Sequence, residues 1–163
     1  MSDRWITLER TYAAPPEEIW ELWTTAQGIE SWWAPEGFSV DVERIELEPG
    51  GTLLYAMTAA GEAQVEFMEQ AGMPLRTTSS KTFTTVDRPR RLGYRSLVDF
   101  VPGMPPYEFL TEVDLSPEGE GTRVVMTMEP LHDDEWTQRL VAGRENELDN
   151  LAQMLERRSR QRP

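Results

Sequence analysis

The sequence predicts an α+β fold: a curved, mainly antiparallel sheet of about six or seven strands against one long C-terminal helix. Two observations carry this reading. From Phe38 onward, apolar and polar residues alternate with period two in segments separated by turns rich in proline and glycine, and consecutive strands with short connections form an antiparallel meander. After Glu129 the period becomes helical and stays so to about Arg158.

The elements follow in order. Trp5 to Tyr12 alternates Ile6, Leu8, Arg10 and Tyr12 against Thr7, Glu9 and Thr11, which suits a first strand with a mixed face. Pro15 and Pro16 stand where a helix can begin, since proline fits the first turn, and Glu17 and Glu18 follow at its positive end. Ile19, Trp20 and Trp23 form its apolar stripe, and a second short helix covers about Gln27 to Trp33. In the next strand Phe38, Val40 and Val42 lead, then the alternation slips at Arg44 to Ile45 and Leu47, which predicts a β-bulge or bend. Pro49-Gly50-Gly51 turns the chain into a strand over Thr52 to Thr58, and Ala63 to Gly72 has the spacing of a short helix. Further strands are expected at Lys81 to Val86, Arg91 to Val101, Tyr107 to Leu115 and Thr122 to Glu129. Asp133 or Asp134 caps the last helix, with Glu135 in its first turn and arginines near its end.

Composition narrows the function. The chain has 163 residues, enough for one domain over its whole length, with a short Arg-rich tail from Arg157 to Pro163. It carries 16 basic and 29 acidic residues, a formal net charge of −13, which argues against nucleic acid or an anionic membrane surface as partner. There is no cysteine and one histidine, His132, so thiolate and multi-histidine metal sites are not expected, and no cofactor motif is present. No apolar run approaches the roughly 18 residues of a membrane span and no signal-peptide pattern opens the chain, so a cytoplasmic location is expected.

The motifs Ala14-Pro15-Pro16-Glu17-Glu18-Ile19-Trp20, Trp32-Trp33-Ala34-Pro35-Glu36-Gly37-Phe38 and Glu48-Pro49-Gly50-Gly51 occur in that order, followed by Gly121-Thr122-Arg123-Val124 and Leu148-Asp149-Asn150-Leu151. Together with the element order they resemble the START-like (SRPBCC) superfamily, and within it the homologues of the activator of heat-shock-protein-90 ATPase. The resemblance spans about residues 6 to 156. It implies a helix-grip fold, in which the sheet wraps on the last helix and leaves a cavity that in the superfamily binds lipids, hormones or polyketides and occasionally does chemistry. Two departures fall where such folds hold ligands. Gly143 is followed by Arg144 where the family commonly has tryptophan, and Gly61 to Ser80 is a longer excursion than the family's usual tight connection.

The cavity walls must come from one face of each strand and from the apolar stripe of the last helix. On that helix Trp136, Leu140, Leu148, Leu151 and Leu155 fall within an arc of about 120°, with Arg144 near its middle. Three readings of Arg144 stand: a structural ion pair or a snorkelling side chain, a fork for a ligand carboxylate or phosphate, and a catalytic group, the last disfavoured because arginine is a poor proton carrier. The other expected wall residues are Trp33, Tyr55, Met57, Met68, Phe83, Tyr94, Met126 and Met128, a soft apolar set, with Met73, Met154, Phe100 and Phe109 nearby. Of the adjacent pair Trp32 and Trp33, one is expected in the core and the other at the cavity mouth or on a partner surface. No nucleophile elbow, phosphate loop or paired-carboxylate signal rises above chance, so no catalytic residue is assigned.

The leading expectation is therefore a protein, monomer or homodimer, that binds a small apolar or amphipathic molecule, with any anionic end near Arg144 under the Gly61–Ser80 excursion. The alternatives are a polyketide-cyclase-like or lyase-like enzyme, with Tyr94, Tyr107 or His132 moving a proton, and a chaperone-interacting module.

Overall fold

The computed structural model describes residues 5–99 and 101–161. Its first strand, β1 (Ile6–Tyr12), pairs antiparallel with the last, β7 (Gly121–Met128), so the chain's two ends share one side of the sheet. Pro15 is extended and Pro16 opens α1 (Pro16–Thr24), as prolines preset for a first turn allow. Thr25 then ends α1 and caps α2 (Ala26–Trp32), its Oγ1 accepting from the Gly28 amide at 3.0 Å. Five strands and a short helix follow: β2 (Phe38–Ile45), β3 (Thr52–Ala59), α3 (Glu62–Gln70), β4 (Arg76–Asp87), β5 (Arg91–Val98) and β6 (Tyr107–Glu118). After β7 comes α4 (Asp134–Gln161). The sheet has seven strands in the order β1-β7-β6-β5-β4-β3-β2, every neighbour antiparallel, and this is the helix-grip arrangement.

Local chemistry explains the edges. The register slips between Val42 and Arg44, where the alternation broke in the sequence. At the β2–β3 turn Gly50 has φ +86, and a Cβ on Gly51 would collide with the Glu46 carbonyl, so both glycines are required. Asp133 caps α4, its Oδ1 accepting from the Trp136 amide at 2.8 Å.

Three edges differ from expectation. β4 starts at Arg76 rather than Lys81, because Thr77 to Ser80 pair with β3 from Met57 to Leu54, which leaves the excursion as α3 and a turn. These polar β-formers show no apolar alternation, so the pattern missed them. β6 continues through Ser116-Pro117, expected as a turn; it tolerates the proline because β5 stops opposite Asp114 and leaves that side unpaired. β5 ends at Val98, short of Val101, while Phe100 lies outside the described residues.

The core lies between the sheet and α1, α2 and α4, with Trp20, Ile29, Leu53, Met126 and Leu151 fully buried. Helix α4 is tied to β1 by the buried Tyr12 hydroxyl, which donates to the Leu148 carbonyl at 2.8 Å, and to the end of α2 by Asn150 Nδ2, which donates to the Ala34 carbonyl at 3.2 Å. Leu148, Leu151 and Leu155 are buried as expected, but Leu140 is only half-buried because the helix stands off the sheet at that turn. Leu148→Ala is expected to cost about 2–4 kcal/mol in denaturant unfolding, and Leu140→Ala clearly less, since it already borders open space.

Candidate functional site

The first half of α4 and strands β3 to β6 enclose a cleft of about 290 Å³. Tyr55, Phe109, Leu131, Trp136 and Leu140 form its apolar wall, and Ser79, Ser80 and Ser96 supply hydroxyls. Its charged lining residues are Lys81, Arg139 and Arg144, all cationic, in a chain of 29 acids.

Lys81 reaches the cleft through strand alternation, since Ser79, Lys81 and Phe83 point the same way on β4. It pairs in register with Ser96 of β5, and its Nζ donates to Ser96 Oγ at 2.9 Å. Three rings surround the Nζ, with centroids at 5.2 Å (Tyr94), 5.7 Å (Tyr55) and 5.9 Å (Trp33). Burial, and then the Arg144 charge, push the Lys81 ammonium down to about 7, against the pull of Glu147.

Arg144 faces Lys81 from α4. Its Nη1 donates to both Glu147 carboxylate oxygens, at 3.0 and 3.2 Å, in a pair whose side chains are 6% and 15% exposed. Its Nε is buried with no partner among the described residues, and the guanidinium carbon lies 5.9 Å from the Tyr94 ring and 5.8 Å from that of Phe109. Burial would lower its proton affinity, but the Glu147 carboxylate holds it above the ordinary arginine range. The ion pair therefore occupies one side of the fork. Lys81 and Arg144 thus stand beside a single carboxylate, Glu147, and that carboxylate is bonded to Arg144. Arg139 sits at the rim, 4.8 Å from the Trp136 ring and paired with Glu135 at 3.1 Å.

Of the residues expected to line a cavity, Tyr55, Trp136, Leu140 and Arg144 come together here. Trp33, Phe83, Tyr94, Met126, Met128 and Leu148 lie deeper in the packed core; Trp33 reaches the site as a ring beside Lys81, and Tyr94 as a ring beside Lys81 and Arg144. Met57 packs against the core on β3, and Met68 is buried on α3, away from the cleft lining. Met73 is exposed. Trp32 and Trp33 are both buried although Trp33, at the α2 cap, keeps helical dihedrals: the Trp32 ring packs against Trp23 and its Nε1 donates to the Leu22 carbonyl at 2.8 Å, while the Trp33 ring turns to Tyr55 on β3, with centroids 6.2 Å apart. Helix α3 does not line the cleft; of the excursion only Ser79 and Ser80 do, from β4.

Among the suggested proton carriers, burial pushes the Tyr94 hydroxyl up to about 12, so it stays protonated near neutral pH. Tyr107 and His132 form a pair, Oη to Nδ1 at 2.7 Å, in a separate hollow beside the start of β6. Among the described residues no cluster of three or more acidic or histidine side chains could hold a metal ion, and no helix is long and apolar enough to cross a membrane.

Sequence reasoning missed Lys81, although a signal was present: it is the only lysine in the chain and stands two residues before the inward Phe83. Its burial has a pH signature. The unfolded value is 10.5 and the folded one about 7, so between them the unfolded chain holds more protons and the lysine's contribution to stability rises with pH. Lys81→Met is expected to be more stable than wild type at pH 6 by about 1–4 kcal/mol. Denaturant melts at a series of pH values should show that advantage shrinking toward pH 10.

No curated protein matches the chain. Solved structures share its fold. Protein CV1439 of Chromobacterium violaceum aligns with a TM-score of 0.73 at 21% identity, covering 93% of this chain and 96% of that one. Protein NE0264 of Nitrosomonas europaea aligns at 0.69 with 20% identity, covering 94% and 95%. CalU16 of Micromonospora echinospora aligns at 0.65 with 20% identity, covering 93% and 75%. The family model described as Activator of Hsp90 ATPase homolog 1-like protein matches residues 13–156. With motifs, topology and family model in agreement over nearly its whole length, the chain belongs to the family of Activator of Hsp90 ATPase homolog 1-like proteins.

Proposed function

We propose that this protein binds a small apolar molecule with one anionic end in the cleft between the sheet and the first half of α4. The observation that carries the reading is the charge count at the site: Lys81 and Arg144 are buried at an apolar cleft, and the one carboxylate beside them, Glu147, is bonded to Arg144. A ligand carboxylate satisfies donors that Glu147 leaves open, while Tyr55, Phe109, Trp136 and Leu140 receive its apolar body. A volume of about 290 Å³ suits a compact acid rather than a long lipid chain.

A chaperone-docking module is the second reading, favoured by the exposed Phe67, Met73 and Leu75 on and after α3. It predicts that Phe67→Ser abolishes the protein's association with its partner and leaves acid binding in the cleft intact.

Calorimetric titration with 2-naphthoate and its neutral counterpart 2-naphthamide tests the binding reading. The acid is expected to bind more tightly by about 1.5–3 kcal/mol, roughly tenfold to a hundredfold. Arg144→Met combined with Glu147→Gln, which avoids stranding a buried carboxylate, should remove most of that preference. The acid's affinity should also weaken as pH rises from 6 to 9, because Lys81 loses its charge through about 7 while Arg144 and the ligand stay ionised. Equal affinity for acid and amide at pH 6 rejects the reading.

A further inference from the structure

We propose that the Lys81 amine is a nucleophile that condenses with the carbonyl of a small aldehyde or ketone, forming an imine while Arg144 holds an anionic group of the same molecule. The inference deepens the binding reading above and rests on it. Buried lysines in a purely structural role are held by a carboxylate. Here the nearby carboxylate, Glu147, is engaged by Arg144, and the hydrogen bond of Nζ goes to a serine hydroxyl. Ser96 Oγ can accept from the ammonium or donate to the free amine, so the contact survives loss of the proton.

The groups facing Nζ act together. Arg144 of α4 repels the ammonium and Glu147 of α4 attracts it, while Arg139 stays at the rim, paired with Glu135. Tyr55 of β3 and Tyr94 of β5 are pushed up to about 12 by burial and stay neutral near pH 7. A desolvated lysine beside a second cation is the arrangement that makes an amine nucleophilic at neutral pH. With the folded value near 7, on the order of half the Lys81 side chains carry a free lone pair there, against fewer than about one in a thousand for an ordinary lysine.

The chemistry balances without an oxidant, reductant or cofactor. The Nζ lone pair attacks the carbonyl carbon, and the carbonyl π electrons move to oxygen, which takes a proton to give a carbinolamine. That proton comes from the nitrogen, the hydroxyl takes one further proton from solvent and leaves as water, and a protonated carbon–nitrogen double bond replaces the carbon–oxygen one. The protonated imine is again a cation, and the Trp33, Tyr55 and Tyr94 rings at 5.2–5.9 Å from Nζ present their faces to it. The substrate class is a compact carbonyl compound that also carries a carboxylate or another anion.

Borohydride trapping is unusually direct here, because Lys81 and the N-terminal amine are the chain's only primary amines. The whole protein is incubated at pH 7 with 4-carboxybenzaldehyde or its neutral methyl ester, then reduced with sodium cyanoborohydride and mapped by peptide mass spectrometry. The expected result is a reduction-dependent adduct on the peptide containing Lys81. Its yield should be about tenfold greater for the acid than for the ester, with a half-maximal rate near pH 7. It should be suppressed by 2-naphthoate and absent in both Lys81→Met and Lys81→Arg, while N-terminal labelling stays unchanged. Labelling confined to the N-terminal amine, Lys81 labelling only near pH 10, or equal yields from acid and ester would each overturn the proposal. If 2-naphthoate binds and Lys81 is never trapped, the imine falls and the binding reading stands. If neither occurs, both fall.

Discussion

A guanidinium cannot be laid against an apolar sheet as a leucine can, and that difference sets how α4 meets β3 to β7. From Leu148 onward the helix presents leucines inward and packs closely. One turn earlier Arg144 needs Glu147 from its own helix, and its remaining donors need space. The sheet places a polar amine, Lys81, opposite it, so the gap cannot close by simple apolar packing. Trp136 and Leu140, which the same stripe would otherwise bury, become walls of the cleft. The cavity is thus placed by where charge enters the helix's inner face.

The contrast between exterior and interior follows from that placement. Most acids are on the surface, and several hold arginines in short pairs, such as Arg123 with Glu9 at 2.7 Å and Arg76 with Glu43 at 2.6 Å. Exposed pairs of this kind add little stability. Arg144, Glu147 and Lys81 at the cleft interact through a medium that screens far less, so these few groups set the local field more than the outer excess of acids does. On the proposed reading, an acidic chain carries an anion-binding cleft, with the outer field slowing approach rather than deciding affinity.

Much of this was legible in the residues. The period-two segments, the slip at Arg44, the Asp133 cap and the leucine stripe on α4 each depend on local patterning and emerge where expected. The start of β4 at Arg76 was not legible, because Thr-Thr-Ser-Ser joins the sheet through backbone pairing that no apolar pattern marks. Arg144 stood out because a charge interrupts a leucine stripe. Lys81 did not, since a lysine on a strand reads as solvent-facing until cross-strand neighbours are known, and Ser96, Tyr94 and Trp33 come from distant segments. For the same reason the methionines of β7 look like cavity lining in the sequence and prove to be packed core; inward facing alone does not separate the core from the wall of a space.

The chain's single lysine also shapes its exterior. Every basic side chain other than Lys81 and His132 is an arginine, so the ion pairs along its surface are built from guanidinium groups. Carboxylate partners raise Arg76, Arg91 and Arg123 further still. A surface built on ammonium groups sheds its positive charge as alkalinity climbs past about 10, and with it the pairing that offsets crowded acids. This surface keeps its cations through that range, and the one amine sealed beneath α4 has already lost its proton near 7, so strong alkali reaches the charge balance of the fold chiefly through the tyrosines.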